Sequence, residues 1–400
     1  MTEVSSHRPS HSLPVGMLIV LWLVGWTLRV PVLAAPPLAT RIADAFELGE
    51  AGVSALTMLP IVAIAFGAIP AAWIIARFRL RQVIVSGLLV MAFASVARGL
   101  VPTTSMLLTA SIVMGLGIAV FQTALPAATR AWTPSHIALG STVYLNGMML
   151  GELSGAGLTL PLVLPLAAGD WRYALILWAI PIFLIAVLVA VSRPPLESIN
   201  KPVDPAYPST INSLPNWNDL RVWQYGLLLA GSVIAFFIIN VFCGTLLQSR
   251  GETQALPGLL FAYNAMPLLA SFIVLSTPKW IGRRAPIAVT ILLSIAGLAG
   301  FIFLESWASW GAAVVTGCAS TVMLILLVSL PPAISSGIAV TRLSAGMTLI
   351  GFTIAFALSL IGGWLADKTD WIEMALVPSL IFIIITLAAL GRTARYPIYN

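Results

Sequence analysis

Charge is what this sequence has least of. Only 8% of its 400 residues are Asp, Glu, Lys or Arg, against about 25% in a soluble domain. So few polar side chains cannot coat a water-facing surface. That excludes a soluble enzyme or nucleic-acid-binding domain, even with a net charge of +6. Cysteine is nearly missing: Cys243 and Cys318 each sit in an apolar run with no neighbouring Cys or His, which excludes a disulfide framework and offers no metal-ligand spacing. Histidine is confined to His7 and His11 in the N-terminal tail and His136 in a polar loop, and Pro9 interrupts the one pair whose spacing would suit a metal. No GxSxG, HExxH, Walker A or GxGxxG string occurs. No catalytic centre, metal, cofactor or nucleotide site is therefore expected.

What the chain has instead is long apolar sequence. Hydrophobic residues make up 59% of it, and the mean hydropathy is +1.01. A helix crosses a bilayer with about 20 mostly apolar residues. Twelve such runs occur, near 14–40, 51–76, 82–101, 105–128, 138–166, 171–192, 222–248, 254–277, 285–304, 308–330, 338–365 and 371–391. The expected fold is an all-α polytopic membrane protein of 12 transmembrane helices in two pseudo-symmetric halves. The first run is too long for a signal-peptide core and reads as a retained helix. The polar, Pro-rich interval 193–221 reads as a linker between an N-terminal six-helix half, 1–192, and a C-terminal one, 222–400.

Lys and Arg accumulate in the cytoplasmic loops of membrane proteins. With the N-terminus inside, 14 of the 20 basic residues fall on the cytoplasmic side, and five, Arg41, Arg98, Arg172, Arg250 and Lys368, on the other. Both termini are thus expected in the cytoplasm, and the positive charge marks topology rather than acidic partners. The halves also read as weak copies. LGSTVYLNGMMLG from Leu139 aligns with LSAGMTLIGFTIA from Leu343 at an offset of 204, which sets Gly147 on Gly351. Duplicated halves of this kind hold substrate between them near the bilayer midplane.

An ionisable side chain at the bilayer centre costs at least about 2.5 kcal/mol, so any found there is a functional candidate. The spans offer two, Arg29 and Glu152, each roughly 20 Å from its cytoplasmic end at 1.5 Å per residue. Trp22 and Trp26 share the helical face of Arg29. Aromatic walls and a guanidinium fork suit a small planar anion; the alternative is that Arg29 only pairs with Glu152 to hold two helices together. Glu152 likewise reads either as a group that exchanges a proton during transport or as a static counter-ion.

The second half has no mid-span charge, so its contribution to a site is expected to be neutral. Asn240, on a face with Phe236 and Cys243, and Tyr263 and Asn264, just before Pro267, are the candidates, joined by Gln122 and Asn146 from the first half. Such amides also cross-link helices. Gly147, Gly151 and Gly155 permit close helix packing, and Pro31, Pro36 and Pro37 would bend or break the first helix just beyond Arg29.

Several strings are more specific: TLRVPVLAAPPL (27–38), TMLPIVAIAFGAIP (57–70) followed by ARFRL (76–80), GLGIAVFQTALPAATR (115–130), DWRYALILWAIP (170–181) and RLSAG (342–346). With the 6+6 division and basic loops after helices two and eight, they make the chain resemble the major facilitator superfamily, and within it the bacterial cyanate and nitroimidazole transporter branch. The resemblance implies a monomeric inner-membrane permease for a small, planar, anionic or weakly acidic substrate, with Arg29 as a site residue. The chain departs from that branch at Phe121–Gln122, where Gly-Asn is usual, and at Val241–Phe242–Cys243, where a W-L-P string is usual. It also departs at Glu152, where a small residue is usual, and in the loop ARFRLRQ (76–82).

The function expected is gradient-driven transport of a small anion, with protons and the lipid bilayer as further partners and no nucleic acid. A proton-coupled multidrug or organic-cation exporter is the alternative, which Glu152 favours and Arg29 opposes. A non-transporting receptor would need an output domain that a linker of about 30 residues is too short to supply.

Overall fold

The computed structural model describes residues 14–192, 214–335 and 338–392. His7, His11 and most of the 193–221 linker lie outside the described residues. Among the described residues every regular element is helical, and 12 segments are long and apolar enough to cross a membrane. In chain order they are α1 Val15–Phe46, α2 Glu50–Arg77, α3 Leu80–Leu100, α4 Thr104–Trp132, α5 Pro134–Leu166 and α6 Trp171–Val191, then α7 Leu220–Ser249, α8 Thr253–Ser276, α9 Arg284–Phe303, α10 Ser306–Ile334, α11 Ala339–Thr369 and α12 Ile372–Gly391.

Helices suit such sequence because they satisfy every backbone polar group within the segment, which hydrocarbon demands. The exterior agrees with a lipid solvent: Phe93, Leu166, Phe303 and Trp307 are 64%, 72%, 69% and 79% exposed. Exposed tryptophans collect near span ends, where an amphipathic ring meets the headgroup layer. Trp73 (with the Arg77 guanidinium 3.9 Å from its centroid), Trp217 and Trp223 mark one end of the bundle, and Trp307, Trp364 and Trp371 the other.

The packing within the first six helices recurs in the last six. α1 lies on α5, α2 and α3 on α4, and α3 on α6; correspondingly α7 lies on α11, α8 and α9 on α10, and α9 on α12. Two seams join the sets, α2 against α11 and α5 against α8. α7 is buried along nearly its whole length and forms the core of the second set.

Contacts across the seams gather at the end of the bundle away from the described termini. α2 begins at Gly49, which has no side chain to cap it. The Asp367 carboxylate of α11 supplies the cap from the other set, accepting from the Glu50 N–H at 2.6 Å and the Ala51 N–H at 3.0 Å. A Cβ on Gly49 would meet that carboxylate, so a side chain there would push the cap aside. Glu50 in turn accepts from Thr245 Oγ1 of α7 at 3.2 Å, and Ser54 and Ser359 Oγ atoms lie 2.8 Å apart. At the same end, Arg172 donates to the Val101 carbonyl at the close of α3, and Arg250 to the Ile302 and Leu304 carbonyls at the close of α9. Both satisfy carbonyls that a helix terminus leaves open.

Candidate functional site

α1 is broken where its prolines fall. It runs as Val15–Thr27, Val30–Leu33, a 3-10 turn Pro36–Leu38 and Ala39–Phe46. Pro31, Pro36 and Pro37 have no N–H to give a preceding carbonyl, and the chain bends at Leu28–Arg29 and again at Ala34–Ala35. Arg29 occupies the first bend.

The α1–α5 interface is backbone against backbone. A Cβ on Gly147 would meet the Trp22 carbonyl, on Gly151 the Trp26 carbonyl and on Gly155 the Val30 carbonyl; from α1, a Cβ on Gly25 would meet the Tyr144 carbonyl. A glycine at every fourth position of α5 therefore removes the side-chain layer that normally separates helices. Three polar rungs cross the gap. Trp22 Nε1 donates to Asn146 Oδ1 at 3.1 Å, Trp26 Nε1 to Ser154 Oγ at 3.0 Å, and Arg29 Nε to Glu152 Oε1 at 3.3 Å. The Arg29 and Glu152 side chains are 13% and 11% exposed. Behind Trp26 stands Trp178 of α6, ring centroids 5.9 Å apart, and Trp178 donates to Thr159 at the start of a π-turn, Thr159–Val163, in α5.

A second, neutral cluster joins α7 and α8. Asn264 Nδ2 donates to Asn240 Oδ1 and to the Leu260 carbonyl, each at 2.9 Å, and Asn240 Nδ2 to the Phe236 carbonyl at 3.3 Å. The Tyr263 hydroxyl donates to the Phe236 carbonyl at 2.9 Å while its ring stacks on Phe236, centroids 5.4 Å apart. That phenol is therefore engaged by the α7 backbone. Asn264 Oδ1 is buried with no partner among the described residues. α5, which carries Glu152, packs against α8, which carries Tyr263 and Asn264. Gln122 of α4 is not tied to the other candidates: its Oε1 is buried with no hydrogen-bond partner among the described residues.

Sequence reasoning missed two participants. Ser154, the partner of Trp26, is an ordinary residue of a small-residue helix and carries no signal of its own. Arg98 was assigned with the loop charges because it lies two residues from the end of α3; the structure instead buries it completely, with Nη1 donating to the Pro31 carbonyl at 2.8 Å. Met91, Ala94 and Ser95, which precede it at i−7, i−4 and i−3, are all buried. That shared face was the available signal. Among the described residues no group of three His, Cys, Asp or Glu side chains could hold a metal, and Cys243 and Cys318 are free thiols.

Comparison with known proteins agrees with this architecture. The chain is 27% identical over 348 residues to the cyanate transport protein CynX of Escherichia coli (strain K12), covering 85% of this chain and 87% of that protein. It is 25% identical over 291 residues to the 2-nitroimidazole transporter of the same organism, covering 72% of each. Its fold superposes on a bacterial homologue of the human lysosomal transporter Spinster with a TM-score of 0.77 at 17% identity, covering 96% of this chain and 98% of that one. It also superposes on a D-xylose–proton symporter with a TM-score of 0.70 at 13% identity, covering 94% and 97%. The family model for the Major Facilitator Superfamily matches residues 17–330; the chain is a multi-pass membrane protein that belongs to the major facilitator superfamily.

Proposed function

We propose that the chain is a proton-coupled secondary transporter, not an enzyme, that moves a small planar anion or weak acid across the inner membrane by alternating access. The observation that carries this reading is the half-used guanidinium of Arg29. Its Nε bonds Glu152, while Nη1 and Nη2 make no hydrogen bond among the described residues. Buried ion pairs are weak devices for stability, whereas mid-membrane charges mark substrate and proton pathways. The free edge of the fork is the edge that receives a carboxylate or similar anion in two parallel bonds. The names of the two relatives refer to a small linear anion and a small planar ring, in keeping with Trp22 and Trp26 beside Arg29.

An anion on that edge competes for the charge that neutralises Glu152. An unpaired carboxylate in a dry interior is tolerated only once it has gained a proton. Binding and proton uptake are then one linked event, with Asn146, Gln122, Asn240, Tyr263 and Asn264 as the neutral polar surround. We assign both termini to the cytoplasm from the Lys and Arg asymmetry, and take 1–192 and 222–400 as the units that rock about the site, in a monomer. The seam contacts then lie on the outer side, and the described arrangement is closed outward.

The test is uptake into proteoliposomes of cyanate, small aromatic acids and organic cations, with and without an imposed pH gradient. Gradient-driven accumulation of an anion, lost in Arg29→Ala, is the expected result. Glu152→Gln is expected to lose accumulation while keeping anion exchange. Movement of cations alone would instead establish the exporter that Glu152 by itself favours.

A further inference from the structure

The third buried charge of the first six helices has no part in that reading. Arg98 is 0% exposed. Its Nη1 donates to the Pro31 carbonyl at 2.8 Å and touches Met114 Sδ at 3.3 Å, while Nε and Nη2 have no partner among the described residues. No carboxylate lies within ion-pair distance of it there. A guanidinium held without a counter-ion in a dry interior is strongly unfavourable unless its position does something. Its one strong acceptor is informative. Pro31 lies two residues past Arg29, in the short segment Val30–Leu33 between the two breaks of α1. The bend is therefore gripped from two sides, by Glu152 of α5 at Arg29 and by Arg98 of α3 at Pro31.

A thioether and a single carbonyl do not neutralise a cation. Arg29, Arg98 and Glu152 together contribute two positive charges and one negative, so the buried set carries a net +1. In a medium of low dielectric constant such an excess acts over several ångströms with little screening. We propose that Arg98 is the positioning residue of the anion site: it fixes the bend that presents Arg29, and its uncompensated charge leaves the unliganded site one positive charge in excess, which draws in a monovalent anion. The substrate half of this inference rests on the anion-transport reading above; the positioning half rests on geometry alone.

Two measurements on the full chain test it. The first is initial-rate uptake of radiolabelled cyanate into proteoliposomes by wild type, Arg98→Lys and Arg98→Gln. Lys keeps the charge and a donor for Pro31, whereas Gln keeps a donor only. Arg98→Lys is expected to hold KM within about threefold of wild type, and Arg98→Gln to raise KM about tenfold with Vmax little changed. A purely structural arginine would move both variants alike, and a wild-type KM in Arg98→Gln overturns the proposal. If Arg98→Gln fails to fold while Arg98→Lys folds and transports, the charge requirement stands; failure of both to fold overturns it in favour of a structural role.

The second measurement needs no substrate. Thermal unfolding of wild type, Arg98→Gln, Glu152→Gln and the double variant forms a cycle between side chains that do not touch, for which independent roles give additive Tm shifts. The proposal requires Glu152→Gln to lower Tm less when Arg98 is already replaced, and additive shifts sink it. Non-additive shifts without cyanate uptake by the wild type would remove the substrate reading and leave the positioning role. Cyanate uptake with additive shifts would do the reverse.

Discussion

The α1–α5 and α7–α11 interfaces hold equivalent places in the two six-helix sets, yet they are built in opposite ways. At α1–α5, glycines bring the backbones together and α1 is broken into four short pieces. At α7–α11, Gly351, the counterpart of Gly147, faces the Leu229 side chain, and Gly226 faces Ile350. There side chains interdigitate, and α7 is one unbroken helix, Leu220–Ser249. A broken helix clamped against a glycine face can aim a charged side chain into the interior; a continuous helix in side-chain packing makes a wall. The first set therefore carries the charges, and the second answers with the neutral amides of Asn240 and Asn264.

Replacing Arg29 should break this contrast most severely. Arg29→Ala leaves Glu152 buried and unpaired, expected to cost about 3–5 kcal/mol of stability as well as anion uptake. The double variant Arg29→Met, Glu152→Met should regain much of the melting temperature but none of the uptake. Next in size is the difference between the two glycine positions. Gly151→Ala forces a Cβ onto the Trp26 carbonyl and should cost about 1–3 kcal/mol in denaturant unfolding. Gly351→Ala meets a side chain that can shift and should cost under about 1 kcal/mol. Equal costs would mean the interfaces are alike after all.

The seam cap lies between the sets rather than within either. Asp367→Ala should remove about 0.5–2 kcal/mol of helix capping. It should also raise the reaction of a Ser54→Cys reporter with a membrane-impermeant thiol reagent; unchanged labelling would mean the cap does not help close that end. Asn264→Leu, which deletes the amide bridge to α7, should cost only about 0.6 kcal/mol.

The smallest expected effect is at the entry to α7. Asp219 accepts from the Arg221 side chain and backbone N–H, and the Arg221 side chain, as the leading cause, holds the Asp219 carboxyl below its ordinary range. A depressed carboxylate stabilises the fold above its unfolded-state pKa, and that contribution disappears as pH falls through the folded-state value. Asp219→Asn should therefore lower Tm slightly at neutral pH, with the difference from wild type shrinking on acidification. A constant difference would exclude the ion pair as its source.

Much of this architecture was legible before any coordinates. Twelve runs of apolar residues fell within a few positions of the helices, because hydrocarbon demands length and apolarity and both are read one residue at a time. The first run was the exception: α1 continues to Phe46, six residues past its apolar stretch, because helix resumes beyond Pro37 on polar residues such as Arg41 and Asp44 that hydropathy does not register. Arg29, Glu152 and their tryptophans were legible for a related reason, since rarity makes a mid-span charge conspicuous.

Apart from the Arg29–Glu152 pair, which partner each side chain meets was not legible. That Trp26 meets Ser154, that Asp367 caps a helix more than 300 residues away, and that Tyr263 is engaged by the α7 backbone all depend on which helix faces which. Arg98 makes the distinction sharpest. By itself the sequence determined that this arginine sits near a helix end, where charge is cheap; only the tertiary structure decided that the broken α1 folds over that end and turns it into interior, where an unneutralised charge is expensive.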